Sequence, residues 1–253
     1  MSGLPRSSHA LVTGGGRGIG REIASSLVQA GATVTVLGRN RKALDDLVAA
    51  GVAHAAVIAD VADQAAMNSA LAEAALRQPI DILVANAGIA ESAPFGKTDA
   101  VMFRRMLDVN FMGVVYAAQA VLRPMVQRRQ GRIVAIASTA GLKGYSYVSA
   151  YCAAKHAVVG LVRSLALEVA TSGVTVNAVC PGFTDTDLVA GSIDNIMSKT
   201  GRSRDEAIAE LAKHNPQGRL VTPAEVANAV VWLCSPGASS VTGQTIAVAG
   251  GEI

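Results

Sequence analysis

The amino-acid sequence predicts a single α/β domain built on a doubly wound parallel sheet of about seven strands, with helices on both faces. Short apolar runs alternate with longer helical patterns along all 253 residues, which is typical of successive βαβ units. Aromatic residues make up only 4% of the chain, whereas Ala, Val and Gly are frequent, and this composition suits strands covered by helices on both faces. Because no repeat, low-complexity tract or linker divides the chain, one domain is expected over residues 1–253.

The individual elements follow from the same patterns. Strands are predicted at Ala10–Thr13, Thr33–Leu37, Ala55–Ala59, Ile80–Ala85, Arg132–Ala137, Thr175–Val179 and Thr245–Val248. Helices are predicted at Ile19–Ala30, Arg41–Ala50, Gln64–Arg77, Ala100–Arg128, Ala150–Thr171 and Pro223–Ser235. Gly31 and Gly51 stand where helix-ending glycines are expected, and Thr222–Glu225 has the pattern of a capping box with a proline at the first helical position.

The segment from about residue 187 to residue 220 is longer than an ordinary connection between a strand and a helix. Thr200 and Gly201 divide it into two predicted short helices, and Ser203–Glu206 has the pattern of a capping box for the second one. Because the segment follows the carboxyl end of a strand, it is predicted to be a lid over a bound ligand. A surface decoration without that role is the alternative.

Composition and charge narrow the function classes. The net charge is +3 and the basic residues are scattered, which argues against a nucleic-acid partner. Cys152, Cys180 and Cys234 have no metal-like spacing, so neither a metal site nor a disulfide is predicted and a cytoplasmic location is expected. The sequence has no signal-peptide pattern and no uninterrupted run of about 18 apolar residues, so no membrane partner is expected.

A glycine-rich turn, TGGGRGIG, follows the first predicted strand and leads directly into a helix. Its glycines have the spacing G-x-x-x-G-x-G, at Gly14, Gly18 and Gly20, with Arg17 and Ile19 between them. Glycines let a backbone approach a pyrophosphate closely, and a helix N-terminus offers free N–H groups to it. The turn therefore predicts a dinucleotide site, with a plain connecting turn as the alternative.

The end of the second predicted strand bears on the choice of cofactor. NAD sites usually have Asp or Glu there, whereas Arg accommodates the 2′-phosphate of NADP. This chain has Arg39 at that point, and Arg39 together with Arg17 could form charge-assisted hydrogen bonds with the phosphate. NADP(H) is therefore favoured over NAD(H), and the alternative is that both arginines are merely solvated.

Tyr151 and Lys155 lie one helical turn apart at the start of a predicted helix. A nearby ammonium group is expected to lower the pKa of a tyrosine, normally about 10, toward the range in which general acid catalysis is efficient. Ser138 ends the preceding strand at the carboxyl edge of the sheet, where ligands of such folds bind. Ser138 could then hydrogen-bond a carbonyl oxygen while Tyr151 protonates it; a helix-capping serine is the alternative.

Together these motifs resemble those of the short-chain dehydrogenase/reductase family over essentially the whole chain. Further motifs of that family stand in the family's order at Asp60-Val61, Asn86-Ala87-Gly88, Asn110 and Pro181–Thr186. The resemblance implies a Rossmann-type fold and a role for each matched residue. On the cofactor side, it implies that Asp60 and Val61 contact adenine, that Asn86, Ala87 and Gly88 line the adenosine side, that Lys155 binds the nicotinamide ribose, and that Pro181, Gly182, Thr184 and Thr186 flank the nicotinamide.

The resemblance also implies an oxidoreductase that interconverts a ketone and its secondary alcohol by hydride transfer, with a tetrad of Asn110, Ser138, Tyr151 and Lys155. Asn110 would hold a water that extends a proton relay to Lys155. Family members are usually homotetramers. The alternatives are an NAD-dependent hydroxyacid or alcohol dehydrogenase, and a catalytically silent dinucleotide-sensing protein on the same fold.

The substrate is less defined by the sequence. The chain resembles 3-oxoacyl thioester reductases and 3-hydroxybutyrate dehydrogenases. Arg129 matches an arginine that carrier-protein reductases use for docking, but Ser172 stands where their second arginine is expected, which favours a CoA ester or a free ketone. Five basic residues near the expected pocket mouth attract an acidic substrate or form a solvated face: Lys143, Lys199, Arg202, Arg204 and Lys213.

Overall fold

The structure is a computed structural model that describes Leu4, Pro5 and residues 7–253. Its strands form a seven-stranded parallel sheet in the order β3-β2-β1-β4-β5-β6-β7, so the predicted fold class is confirmed. The strands are β1 (His9–Thr13), β2 (Thr33–Gly38), β3 (Ala55–Ile58), β4 (Ile82–Ala85), β5 (Gly131–Ile136), β6 (Val174–Pro181) and β7 (Thr245–Val248). The helices are α1 (Gly18–Gln29), α2 (Arg41–Ala49), α3 (Gln64–Arg77), α4 (Ala100–Leu107), α5 (Gly113–Arg128), α6 (Ser149–Glu168), α7 (Asp187–Thr200), α8 (Arg204–Ala212) and α9 (Pro223–Cys234).

Alternate side chains of the central strand β1 reach two separate hydrophobic cores. Leu11 belongs to the core that the sheet forms with α3, α5 and α6. Ala10 and Val12 belong to the core on the opposite face, formed with α1 and α9. Because both faces are covered, β1, β4 and β6 are buried at every position rather than at every second one.

The predicted helix ends are confirmed where capping residues marked them. Ser203 starts α8 and Thr222 starts α9, each in a reciprocal capping box with the glutamate three residues later. Gly201 ends α7 with a φ of +69°, a left-handed conformation that glycine adopts without strain. The segment at residues 187–220 is therefore divided into two helices at the predicted place.

The main departure lies within the predicted helix Ala100–Arg128. A π turn at Asp108–Met112 separates α4 from α5 and contains Asn110. A π turn inserts one extra residue and shifts the side chains that follow it around the helix axis. The average periodicity of the sequence cannot locate such a turn, because the apolar pattern on either side of it stays helical.

The same stretch, Ala100–Arg128, is long and apolar enough to cross a membrane by length and composition, with a mean hydropathy of 1.2. Buried core helices pass the same test. Here Val114, Ala117 and Val121 of α5 belong to the hydrophobic core beneath the sheet.

A histidine is buried at the start of the sheet. The His9 side chain lies 2.7 Å through Nδ1 from the Gln78 carbonyl oxygen and 2.8 Å through Nε2 from the Thr35 hydroxyl. Because a carbonyl oxygen only accepts, Nδ1 must carry the proton and Nε2 accepts from Thr35, which satisfies the neutral ring completely. Burial lowers the pKa of His9 below its usual 6.5.

Because His9 is buried as a neutral ring, we expect the protein to lose stability in acid. A base with a lowered pKa stabilises the fold above the pKa of the unfolded chain, and that stability is lost as the pH falls, because the unfolded state takes up the proton first. We expect the free energy of unfolding to fall between about pH 7.5 and about pH 5.5 by about 1 kcal/mol more in the unsubstituted protein than in His9→Gln. Urea unfolding at the two pH values measures this difference. His156→Gln, which changes an exposed ring on α6, is the control, and equal pH dependence with and without His9 would contradict the assignment.

Candidate active site

The candidate site lies where four parallel strands end at the same edge of the sheet. The strand order places β4 beside the central β1, followed by β5 and β6. The glycine turn follows β1, Asn86 follows β4, Ser138 follows β5 and Gly182 follows β6. The sequence-predicted residues from distant parts of the chain are therefore brought to one edge, as expected for this fold.

The glycine turn forms a cradle in which side chains have no room. Gly14 and Gly18 have φ values of +63° and +51°, which disfavour other residues. A Cβ atom at Gly20 would lie 2.3 Å from the Gly14 carbonyl oxygen, and one at Gly14 would lie 2.8 Å from the Cα atom of Ala87. The glycines therefore let the turn pack closely against the loop after β4 just before α1 begins, a geometry that fits the pyrophosphate of a dinucleotide at the N-terminus of α1.

Asn86 fastens this turn to the neighbouring strand. Its side-chain amide donates to the carbonyl oxygens of Thr13 at 2.9 Å and Gly14 at 3.2 Å. The backbone N–H groups of Asn86 and Ala87 donate to the Thr13 hydroxyl at 3.0 and 3.1 Å. Asn86 therefore holds the turn in place, and direct contact of residues 86–88 with adenosine stays a prediction.

The two arginines expected at the 2′-phosphate are exposed and loosely held. The Arg39 guanidinium lies 3.4 Å from the Asp60 carboxylate, and the Arg17 guanidinium lies 3.9 Å from the Asp187 carboxylate. The side chains of Arg39 and Arg17 are 74% and 73% exposed. Exposed ion pairs contribute little stability, so a phosphate group can displace either carboxylate.

The residues expected around adenine and nicotinamide lie on opposite sides of the turn. Val61 follows β3, and its Cβ atom would lie 2.9 Å from a Cβ built on Gly113 of α5. Thr186 precedes α7, and its Cγ2 atom would lie 3.4 Å from a Cβ built on Gly18. The start of the segment at residues 187–220 therefore lies directly beside the glycine turn. The Thr184 hydroxyl donates to the Gly182 carbonyl oxygen at 3.0 Å and stabilises the bend after Pro181, the last residue of β6.

Lys155 is buried beneath the site, with only 3% of its surface exposed. Its ammonium group donates to the Ile136 carbonyl oxygen at 2.8 Å and lies 5.7 Å from the centre of the Tyr151 ring. A Cβ atom at Gly88 would lie 2.7 Å from Asn110 Oδ1 and 3.7 Å from Lys155 Nζ. Gly88 is therefore the point where three of the expected site residues approach one another most closely.

The Asn110 side chain is used to fix the loop after β4. Its Oδ1 atom accepts from the Ile89 N–H at 3.1 Å, and its Nδ2 atom donates to the carbonyl oxygens of Ile89 and Met106, both at 3.0 Å. The π turn orients this side chain toward Ile89. The water that Asn110 is expected to hold stays a prediction.

Ser138 has the capping role that the sequence left open as an alternative, and its hydrogen bond to a substrate carbonyl stays a prediction. Its Oγ atom accepts from the Ala140 N–H at 3.1 Å and caps the short helical turn Thr139–Gly141. Its side chain also lies close enough to the Tyr151 phenol to lower the pKa of that phenol, which favours the phenolate. The two contacts are compatible because a hydroxyl can accept and donate at the same time.

Burial controls the protonation of the Tyr151–Lys155 pair. It raises the pKa of Tyr151 to about 12, although the nearby Ser138 side chain acts in the opposite direction. Burial lowers the pKa of Lys155 to about 8. The expectation that Lys155 lowers the pKa of Tyr151 is therefore wrong for the chain's own groups, because the ammonium bonds the Ile136 carbonyl and desolvation outweighs its charge. Near neutral pH, Tyr151 is a phenol and can donate a proton.

Three further residues beside the site were not singled out by the sequence: Tyr145, His214 and Glu252. The Tyr145 ring lies 6.0 Å from that of Phe183 and 5.6 Å from that of His214, both edge to face. The Tyr145 hydroxyl hydrogen-bonds Thr139, next to Ser138, and donates to the Glu252 carboxylate. Glu252 lies beside these residues because it follows β7, and β7 pairs with β6. No local sequence pattern reveals that pairing.

Known proteins share this architecture. A family model described as short chain dehydrogenase matches residues 8–197. Galactitol 2-dehydrogenase (L-tagatose-forming) of Cereibacter sphaeroides is 40% identical over 248 residues, which cover 96% of this chain and 93% of that protein. A 3-oxoacyl-(acyl-carrier-protein) reductase of Aquifex aeolicus is 38% identical over 248 residues, which cover 96% of each. The crystal structure of a variant of actinorhodin polyketide ketoreductase with NADPH has a TM-score of 0.92 at 37% identity and covers 97% of both chains.

Proposed function

Because the chain belongs to the short-chain dehydrogenase family, and is thus a nicotinamide-dependent oxidoreductase, we propose that it uses NADP(H) to interconvert a ketone and its secondary alcohol. The observation that carries this proposal is the position of Tyr151. Its phenol lies beside Ser138 and above the buried Lys155, at the same sheet edge as the glycine cradle. A hydride donor and a proton donor can therefore meet on the two ends of one carbonyl bond.

The chain's residues divide into those that hold the cofactor and those that act on the substrate. The bound nicotinamide supplies or accepts the hydride. The glycine turn with Ile19 would hold the pyrophosphate, Arg17 and Arg39 the 2′-phosphate, and Lys155 the nicotinamide ribose. Asp60, Val61, Asn86, Ala87 and Gly88 would line the adenosine side, and Pro181, Gly182, Thr184 and Thr186 the nicotinamide side.

In ketone reduction, the Ser138 hydroxyl donates a hydrogen bond to the carbonyl oxygen, and Tyr151 transfers its phenolic proton to the same oxygen. The high pKa of Tyr151 keeps that proton in place until the oxygen gains negative charge. The phenolate left behind is stabilised by Ser138. Lys155 and a water near Asn110 then return a proton from solvent, and alcohol oxidation reverses these steps.

The proposed substrate class is broad. The relatives are named for galactitol, a 3-oxoacyl-(acyl-carrier-protein) and a polyketide. The Arg129 guanidinium donates to the Thr171 carbonyl oxygen at 3.0 Å, next to Ser172, which gives it a structural role at the end of α6. This contact supports a CoA ester or a free ketone rather than docking of a carrier protein.

The lid, too, is a proposal. Asn195 of α7 donates to the Ser92 hydroxyl at 3.2 Å, so the segment reaches from the glycine turn to the loop after β4. This span supports a lid over substrate and cofactor. The homotetramer, the cytoplasmic location and the absence of nucleic-acid and membrane partners stay predictions.

The first test removes the proposed proton donor. Tyr151→Phe deletes only the hydroxyl, so we expect the Kd for NADPH to be retained while kcat for ketone reduction falls by about 10²–10⁴-fold. NADPH fluorescence titration and a steady-state NADPH oxidation assay measure the two quantities. Tyr116→Phe on α5 is the matched control. Unchanged turnover in Tyr151→Phe would rule out this mechanism, and a protein that binds NADPH but reduces no ketone in a broad screen would favour the dinucleotide sensor.

The second test addresses the cofactor. Arg39→Asp replaces the cation expected at the 2′-phosphate by a carboxylate, which repels that phosphate and can accept from a ribose hydroxyl. We expect the ratio of kcat/KM for NADPH to that for NADH to fall by at least about tenfold, the loss of one charge-assisted hydrogen bond. Arg77→Asp, an equal charge change on the exposed side of α3, is the control. A ratio that Arg39→Asp leaves unchanged would favour the NAD-dependent alternative.

A further inference from the structure

The Glu252 carboxylate is buried although it lies in a loop after the edge strand β7. Its side chain is 2% exposed. Removal of a carboxylate from water is unfavourable unless an opposite charge and hydrogen bonds compensate for it. Here the Lys143 ammonium lies 3.0 Å from Glu252 Oε1, and the Tyr145 hydroxyl donates to the same oxygen. The burial of Glu252 therefore depends on Lys143.

This ion pair lies beside the candidate active site. Lys143 and Tyr145 belong to the loop that joins Ser138 to Tyr151, and the Lys143 N–H donates to the Thr139 carbonyl oxygen at 3.0 Å. On the other side, Glu252 Oε2 would lie 3.1 Å from a Cβ built on Gly182. The carboxylate is thus wedged between the loop that carries the catalytic residues and the bend after β6.

The two partners differ in accessibility. The Lys143 side chain is 37% exposed, whereas Glu252 is inside, and Glu252 Oε2 has no hydrogen-bond partner among residues 4, 5 and 7–253. His214, at the end of the lid, has its Nδ1 atom 3.9 Å from Oε1 and adds a charge only when it is protonated. The Lys143 ammonium is therefore accessible to a ligand, and its charge is neutralised by the buried Glu252 carboxylate, whose Oε2 atom has no partner among the described residues.

Three of the four other basic residues expected at the pocket mouth are paired as well, whereas Lys199 has no ion pair among the described residues. Arg202 and Lys213 lie 2.9 and 2.7 Å from the Glu210 carboxylate, and Arg204 lies 3.7 Å from the Asp194 carboxylate. These contacts favour the solvated-face interpretation of the lid cations. Lys143 remains the basic residue best placed to meet a substrate, since it lies in the loop between Ser138 and Tyr151.

We propose that Glu252 is a specificity-determining residue: it neutralises Lys143 and so makes the site prefer an uncharged ketone to one that carries a carboxylate. The inference rests on the proposed function, because it requires a ketone held at Ser138 and Tyr151. Without the Glu252 charge, the Lys143 ammonium would attract a substrate carboxylate. With it, the carboxylate meets an ion pair without net charge.

The test compares two substrates that differ in one charge, acetoacetate and methyl acetoacetate. Glu252→Gln keeps the shape of the side chain and an acceptor for Tyr145 but removes the negative charge. We expect the ratio of kcat/KM for the acid to that for the ester to rise about fivefold, the upper range for a partly exposed ion pair. The rise should shrink as salt is added, because ions screen the exposed ammonium, whereas a purely structural effect would be insensitive to salt.

Two controls isolate the charge. The double variant Lys143→Met/Glu252→Gln removes both partners and should return the ratio to that of the unsubstituted protein. Glu73→Gln removes a carboxylate from the exposed side of α3 and should leave the ratio unchanged. An unchanged or lower ratio in Glu252→Gln, or an equal rise in the double variant, would overturn the proposal. If Glu252→Gln does not fold, Lys143→Met alone carries the test, since it should lower the ratio.

A binding measurement separates this proposal from the proposed function. If the unsubstituted protein reduces neither substrate, the proposed function is contradicted for these ketones. Calorimetric titration of acetoacetate and methyl acetoacetate into the NADP⁺-saturated protein then tests Glu252 independently. Tighter binding of the acid alone in Glu252→Gln would support the assignment, and equal affinities in both proteins would overturn it.

Discussion

The ammonium group of Lys155 is accommodated beneath the sheet edge by one short hydrogen bond, to the carbonyl oxygen of Ile136 at 2.8 Å. A buried cation without such a partner would be strongly unfavourable. The bond ties α6, at a point one turn after Tyr151, to the end of β5. Ser138 follows two residues after Ile136. The space above the ammonium exists because residue 88 is glycine and because the π turn draws the Asn110 side chain to Ile89. The catalytic geometry therefore depends on where this one charge is buried.

The two ends of the site are built differently. At the cofactor end, Arg17 and Arg39 are exposed and only loosely paired, so they can reorient toward a phosphate at little cost. At the substrate end, Lys143 is paired with a buried carboxylate, which fixes the local charge before any ligand arrives. In the proposed function, a dinucleotide would be recognised through charges that the protein leaves available, whereas the substrate would meet charges that are already compensated.

Much of this arrangement could be predicted from the sequence, and the failures have physical causes. The alternation of elements and the glycine spacing are local patterns, so the sheet, the cradle and the proximity of Ser138 to Tyr151 followed from them. The π turn was missed because a single extra residue does not disturb the surrounding periodicity. The pKa of Tyr151 was predicted in the wrong direction because spacing shows that a lysine is near but not how deeply both groups are buried. Glu252 was missed because only the pairing of β7 with β6 brings it beside Gly182.

The central claim is that Tyr151, Ser138 and Lys155 direct a hydride and a proton to the two ends of one carbonyl bond. The most direct measurement is the fate of a label when a ketone that the protein reduces is incubated with NADPH carrying deuterium at the reactive C4 position of the nicotinamide. We expect the alcohol product to carry deuterium on its carbinol carbon, with its hydroxyl proton supplied by solvent. An alcohol without deuterium on that carbon would contradict it.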